Sequence, residues 1–431
     1  MKVLVLNSGA KDTVIAWWLS KSKLIEELFI APGNPGTEDY AINLPDVDIE
    51  NGEQVLGACR KNGITHVFIG TETPLLAGVA DCLNANGIFT LGAPLHALKL
   101  DTDKKFAREF AQRCGFTMPR YWSFDNLEDF RAFLDGEGKG GFFTLKPNGA
   151  AASRTLINSS DPEVLVSFAK EFLKKDSIIL EEHIDGTPVT ITLLLDHNGA
   201  RMLPLCSEYS KPEHDEINFV TGGMGAVCPV PLADETRNAI WDRMIVPLVN
   251  RLREENLSYT GIMTISTVLK GLTLYFVDFH IRFNDPAAQS ILPLVITDPV
   301  DIIRAMESNS LSSLNLEISR ESTVSVVIAS EGYPFKPRRG LRVKCSVPQY
   351  MDSLFNSLPR IFLGAVRKDV KGNIITSGGR VATVVGMGKN ITSANEAAYS
   401  AADSISFKGS WYRADIGDKF FISVNEYYDG E

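Results

Sequence analysis

The sequence predicts an α/β protein that opens with a parallel sheet covered by helices and continues as mixed α+β units. Three observations predict this. Short apolar runs alternate with amphipathic stretches over the first hundred residues, the character changes after Pro119, and the last hundred residues return to strands closed by one helix. At 431 residues the chain exceeds what one core serves and divides into about three or four domains.

The first strand is KVLVLN, followed by a helix from about Thr13 to Ser20. LFIAPG, a helix from about Glu53 to Lys61, HVFIG, and a helix from about Leu75 to Asn86 repeat the unit. In such sheets ligands sit beyond the carboxyl ends of the strands. The turns Asn7-Ser8-Gly9, Ala31 to Thr37 and Gly70 to Pro74 fall there and offer one crevice. Gly9 and Gly33 let backbone N–H groups approach a ligand, although ordinary turn chemistry explains most such clusters. No Walker loop occurs, and the one G-x-G-x-x-G, Gly136 to Gly141, precedes a strand instead of joining a strand to a helix, which excludes those nucleotide folds.

A helix pattern over KKFAREFAQR leads into Pro119. FFTLKP is a strand entering the loop NGAAASRT, and IILEEHI is a strand whose Glu181 and Glu182 cannot both face one apolar core. VTITLLLD and ARMLPLCSEY form an antiparallel pair joined near His197-Asn198-Gly199, followed by a polar loop and a helix from about Arg237 to Glu255. The segment YFVDFHIRF is an alternating strand that breaks at Asn284-Asp285-Pro286. VSVVIAS, GLRVKC, IFLGAVRK and GRVATVVGMG are the last strands, before a helix from about Ser393 to Ile405.

On the YFVDFHIRF strand, Asp278, His280 and Arg282 share one face, because residues two apart point the same way. Burying them requires partners; a metal with a phosphate would supply these, and a solvated strand face would need none. The net charge of −10 and pI near 5.3 argue against a nucleic-acid partner. No apolar run approaches the roughly 20 residues of a membrane span, and the start shows no secretory pattern, so a cytoplasmic protein is expected. Six scattered cysteines without C-x-x-C read as reduced thiols, with neither a zinc site nor a disulfide frame.

Taken in order, APGNPGT, GTETPL, DKKFAREF, FFTLKPNGAAAS, IILEEHIDG, TGGMGAVCPVP, YTGIMT, VDFHIRFNDPAAQ, EGYPFKPRRG and SGGRVATVVGMG resemble the motifs of the glycinamide ribonucleotide synthetase family. The resemblance implies an ATP-grasp fold: an N-terminal α/β domain over 1–102, a split ATP-grasp domain over 103–121 and 188–326, an inserted lid over 122–187, and a C-terminal α+β domain over 327–431. It also implies a ligase that uses ATP with magnesium or manganese to activate a carboxylate as an acyl phosphate, which an amine then attacks. Lys104, Lys146 and Arg154 match positions that grip phosphates, and Glu181, with Glu182 and Ile184, the positions around adenine. Asp278 and His280 fall at the metal, Arg282 and Asp285 at the chemistry, and Gly9, Gly33, Asn34, Glu72, Lys211, Gly222 and Gly223 at the substrates.

The sequence departs from the family in places. Asp278 and His280 replace Glu and Asn, Ser153-Arg154-Thr155 replaces Gly-Lys-Gly, and Gly186-Thr187-Pro188 replaces Gly-Glu-Glu. The opening loop, Ser8 to Asp12, differs from the family's G-G-R-E-H on the amine side, and Tyr209 stands for an Asp on the side of the small acid. These departures point to a ligase with an altered amine or amino acid, acting on small molecules as a monomer or homodimer. Two alternatives are a genuine purine-pathway phosphoribosylamine–glycine ligase and a non-catalytic nucleotide-binding relative.

Overall fold

The computed structural model of the chain describes residues 1–149, 156–212, 220–345 and 360–421. The first sheet is parallel and runs Ile42–Asn43, Glu27–Pro32, Lys2–Asn7, His66–Ile69, Phe89–Leu91. Val3 to Leu6 are all buried, because helices cover both faces and leave no polar side to alternate with. Strand order reverses between Lys2–Asn7 and His66–Ile69, and this switch point aims the turns after Asn7 and Ile69 into one crevice. The first helix, Ala10–Ser20, starts earlier than the sequence suggests. The helix expected from Leu75 to Asn86 is two, Glu72–Leu76 and Val79–Ala85, because Gly78 between them adopts φ +73°, which no helix interior holds.

A small antiparallel sheet orders Tyr121–Phe124, Ile178–Glu182, Phe143–Pro147 and Ile157–Ser159 around its own core of Phe130, Leu145 and Leu180. A second antiparallel sheet orders Ala200–Met202, Thr187–Leu195, Gly261–Lys270 and Thr273–His280. Helix Lys104–Arg113 packs on it, the Phe110 ring standing edge-on to Phe279 at 5.9 Å. A bulge opposite Ser266 and Thr267 adjusts the end of Thr273–His280 just before its charged residues.

The third sheet places Ser207–Tyr209 and Gly225–Cys228 beside Ser322–Ser330, Arg380–Gly388 and Arg360–Leu363. The run ARMLPLCSEY is therefore not one strand: after Met202 the chain leaves one sheet, and Ser207–Tyr209 joins another. IFLGAVRK likewise divides into Arg360–Leu363 and Val366–Lys368, and of GLRVKC only Lys344–Cys345 is a strand. Strand Ser322–Ser330 runs across the 326/327 division drawn from sequence, and its sheet also takes in Ser207–Tyr209 and Gly225–Cys228. Among the described residues no helix is long and apolar enough to cross a membrane.

Candidate active site

Lys104 opens its helix behind Asp103, whose carboxylate accepts the Phe106 N–H at 3.0 Å. Its Nζ lies 3.0 Å from Asp278 Oδ2 and donates to Asp101 O at 2.9 Å. One turn later on the same face Arg108 donates to Val277 O at 2.9 Å and pairs with Glu181. Glu181 also receives Lys146 Nζ at 2.8 Å. Lys104, Arg108, Lys146, Glu181 and Asp278 are all buried, which the alternation of charge permits. Burial, and next the Arg108 guanidinium, hold the Lys146 ammonium well below its ordinary pKa. Burial drives the Asp278 carboxyl upward, but Lys104, Lys146 and His280 outweigh it and leave it below the usual carboxylate value.

Asp278 Oδ1 is buried and has no hydrogen-bond partner among the described residues. His280 Nδ1 faces Asp101 Oδ1 at 3.5 Å. Among the described residues no three His, Cys, Asp or Glu side chains converge as a metal cage. One open carboxylate oxygen suits a hard cation that takes one or two protein carboxylates and completes its shell with phosphate oxygens and water. The expected placement of His280 as a second ligand is weaker, because its Nδ1 is directed at a carboxylate in the manner of a supporting residue.

Opposite this wall stands a second. Arg282 lies past the end of the strand at His280 and turns to the first sheet, where Nε donates to Glu72 Oε2 at 2.7 Å. Burial lowers the Arg282 pKa, but Glu72 and Asp101 outweigh it and the guanidinium stays charged. Lys11 Nζ donates to Phe283 O at 3.2 Å, and burial, with Arg282 nearby, brings its pKa down to about 8. Asp285 is held by Gln289 Nε2 at 2.8 Å and by Arg380 Nη2 at 3.0 Å. Arg380 also donates to Gly222 O, and the Gly222 N–H donates to Tyr333 Oη at 2.9 Å. Gly223 takes φ +110°, and a Cβ there would stand 2.4 Å from Asp285 O, so only glycine lets this turn approach Asp285. Both walls line one cavity of about 680 Å³.

Of the residues expected at the site, Lys104, Lys146, Asp278, His280, Arg282, Asp285, Gly9, Glu72, Gly222 and Gly223 line this cavity. Others do not. Gly33 and Asn34 form scaffold: Asn34 Nδ2 donates to Ser8 O at 2.8 Å and to Leu363 O at 3.2 Å, tying the first turn to the C-terminal sheet. Glu181, expected at adenine, is enclosed by Lys146 and Arg108, while Glu182 turns outward to Arg120 at 3.4 Å and Ile184 is half-buried off the cavity lining. Lys211 lines an adjoining cavity of about 210 Å³ that shares Pro188, Glu208 and Ser210 with the first. Arg154 lies outside the described residues. Lys11 and Asp12, of the opening loop expected on the amine side, line it too; Arg108, Glu208 and Tyr333 are not singled out by the sequence, although Arg108 has a signal in its four-residue spacing from Lys104.

Residues 1–101 match the N domain of phosphoribosylglycinamide synthetase, 102–288 its ATP-grasp (A) domain and 323–419 its C domain. A phosphoribosylamine–glycine ligase of Leifsonia xyli is 32% identical over 426 residues, covering 96% of this chain and 99% of the relative. One of Neisseria meningitidis serogroup B is 28% identical over 428 residues, covering 97% and 99%. The crystal structure of a phosphoribosylamine–glycine ligase from Thermotoga maritima superposes with a TM-score of 0.80 at 22% identity, covering 96% of this chain and 100% of that one. The chain belongs to the phosphoribosylglycinamide synthetase family, ATP-grasp ligases that convert ATP to ADP while forming an amide bond.

Proposed function

We propose that the protein joins the carboxylate of glycine to the amine of phosphoribosylamine, the reaction for which its relatives are named. This was the alternative in the sequence reading, and the relatives favour it over a changed substrate pair. One observation carries the proposal: the Lys104, Lys146 and Asp278 wall and the turns at Asn7 to Asp12 and Gly222-Gly223 open on a single cavity. Lys11 and Asp12 give the opening loop a cation followed by an acid.

In this reading the ATP phosphates lie along Lys104 and Lys146, and their arrival adds negative charge beside the buried Lys146, which Glu181 already partners. A divalent metal beside Asp278, with His280 in support, would neutralise phosphate charge there. Arg282, fixed by Glu72, faces the oxygens on which charge gathers as the carboxylate becomes an acyl phosphate. Asp285, oriented by Arg380 and Gln289, positions the amino acid against the Gly222-Gly223 turn. A cytoplasmic location accords with six free thiols.

A second reading keeps the chemistry and changes the amino acid. Tyr209, where the family has an acid, is buried, accepts the Gly417 N–H at 2.9 Å and lines the adjoining cavity beside Lys211. ADP release from ATP and magnesium with glycine and phosphoribosylamine tests both. Turnover with this pair supports the first reading; turnover only with another acid or amine replaces it with the second.

A further inference from the structure

On the substrate wall Glu72 is held by Arg282, and Asp285 by Arg380 and Gln289. Asp12 differs. Its Oδ2 accepts the Gly9 N–H at 3.1 Å, while its Oδ1 is buried without a hydrogen-bond partner among the described residues. Oδ1 lies against Gly70, where an added Cβ would stand 2.5 Å away, and Asp12 forms part of the cavity wall. The charged groups around it are Lys11 and Asp285, with Arg282 and Glu72 acting on Lys11. Burial pushes the Asp12 carboxyl up to about 6, Asp285 adding to the rise and Lys11 opposing it. Such a group is unprotonated at neutral pH yet more basic than an ordinary carboxylate.

An amine that attacks an acyl phosphate becomes cationic at nitrogen and must release a proton. We propose, resting on the ligase reading above, that Asp12 is the proton acceptor for the attacking amine. The nitrogen lone pair forms the new N–C bond, the C–O bond to phosphate breaks with its electrons leaving on phosphate, and one N–H proton passes to the Asp12 carboxylate, which returns it to solvent when the cavity empties. Asp12 is thereby a catalytic residue of the second half-reaction alone, since carboxylate phosphorylation moves no proton there.

Hydroxylamine separates the halves, because it traps an acyl phosphate as a hydroxamate without needing a protein base. Wild type and Asp12→Asn are each given ATP, magnesium and glycine, with hydroxylamine in one series and phosphoribosylamine in the other. Asp12→Asn is expected to keep hydroxamate formation within about threefold and to lose amide formation on the order of 10²-fold. The acid limb of kcat near pH 6 in the wild type should vanish in the variant. Amide formation at the wild-type rate, or equal loss of hydroxamate and amide, would overturn the proposal. A wild type that forms no glycine-dependent hydroxamate would instead overturn the glycine reading on which it rests.

Discussion

The two walls of the cavity solve the burial of charge differently. On the Lys104 and Lys146 wall cations meet carboxylates, in the run Asp278, Lys104, Arg108, Glu181, Lys146. On the Asp12 and Asp285 wall the ion pairs stand apart, Arg282 with Glu72 and Arg380 with Asp285, and the cations tie down turn carbonyls: Lys11 reaches Phe283 O, and Arg380 reaches Gly222 O and Asp285 O. The first arrangement holds charge in readiness for a polyanion that can replace a carboxylate partner. The second fixes the shape of turns, as discrimination between small substrates requires.

Removing Lys146 should break this contrast most visibly. Lys146→Met is expected to lower ADP formation by roughly 10³-fold, since a cation aimed at developing phosphate charge is lost. Arg108→Met acts on the same wall but on stability, leaving Glu181 with half its partners. It should lower the unfolding free energy by about 3 to 5 kcal/mol in urea titration. Arg380→Met sharpens the other side: with the grip on Gly222 and Asp285 gone, KM for the amino acid should rise about 10- to 100-fold while KM for ATP holds.

The pH dependence of stability tests the second wall again. Asp12 is raised from 3.8 to about 6, so between these values the folded chain holds a proton that the unfolded chain has released, and stability falls as pH rises. Lys11 is lowered from 10.5 to about 8, so stability climbs again as pH rises from 8 toward 10.5. Both charges are therefore buried together from about pH 6 to 8. Asp12→Asn should raise the urea midpoint at pH 7, by about 2 kcal/mol in free energy, and leave it unchanged at pH 3. The smallest effect belongs outside both walls, where Arg120→Ala breaks the exposed contact with Glu137 and should shift stability by about 1 kcal/mol or less.

The first sheet was legible because Val3 to Leu6 and Val67 to Ile69 are apolar runs between turns. The helix at Lys104–Arg113 was legible to the residue. Gly78 hid a break, since a left-handed φ is a property of the backbone that the letter permits without requiring. ARMLPLCSEY hid a change of sheet, because alternation tells that a residue is half-buried and not which neighbour buries it. At the site, Asp278 and Arg282 stood out as charges on an apolar strand. Arg108 was one letter of a helix pattern, and Asn34 was expected at a substrate. What each of them binds depends on residues more than 25 positions away, Glu181 and Val277 for the one and Leu363 and Ser8 for the other.

The sharing of the third sheet by Ser207–Tyr209, Gly225–Cys228 and the C-terminal strands limits how this enzyme can be recombined. Gly225–Cys228 hydrogen-bonds along Ser322–Ser330, and the turn just before it carries Gly222 and Gly223. A chimera joined to a relative at residue 326 would cut a strand in two and set a foreign edge against a native one. Crossovers that respect the hydrogen-bond ladder must carry 207–228 together with everything from Ser322 onward, as a package inherited from one parent.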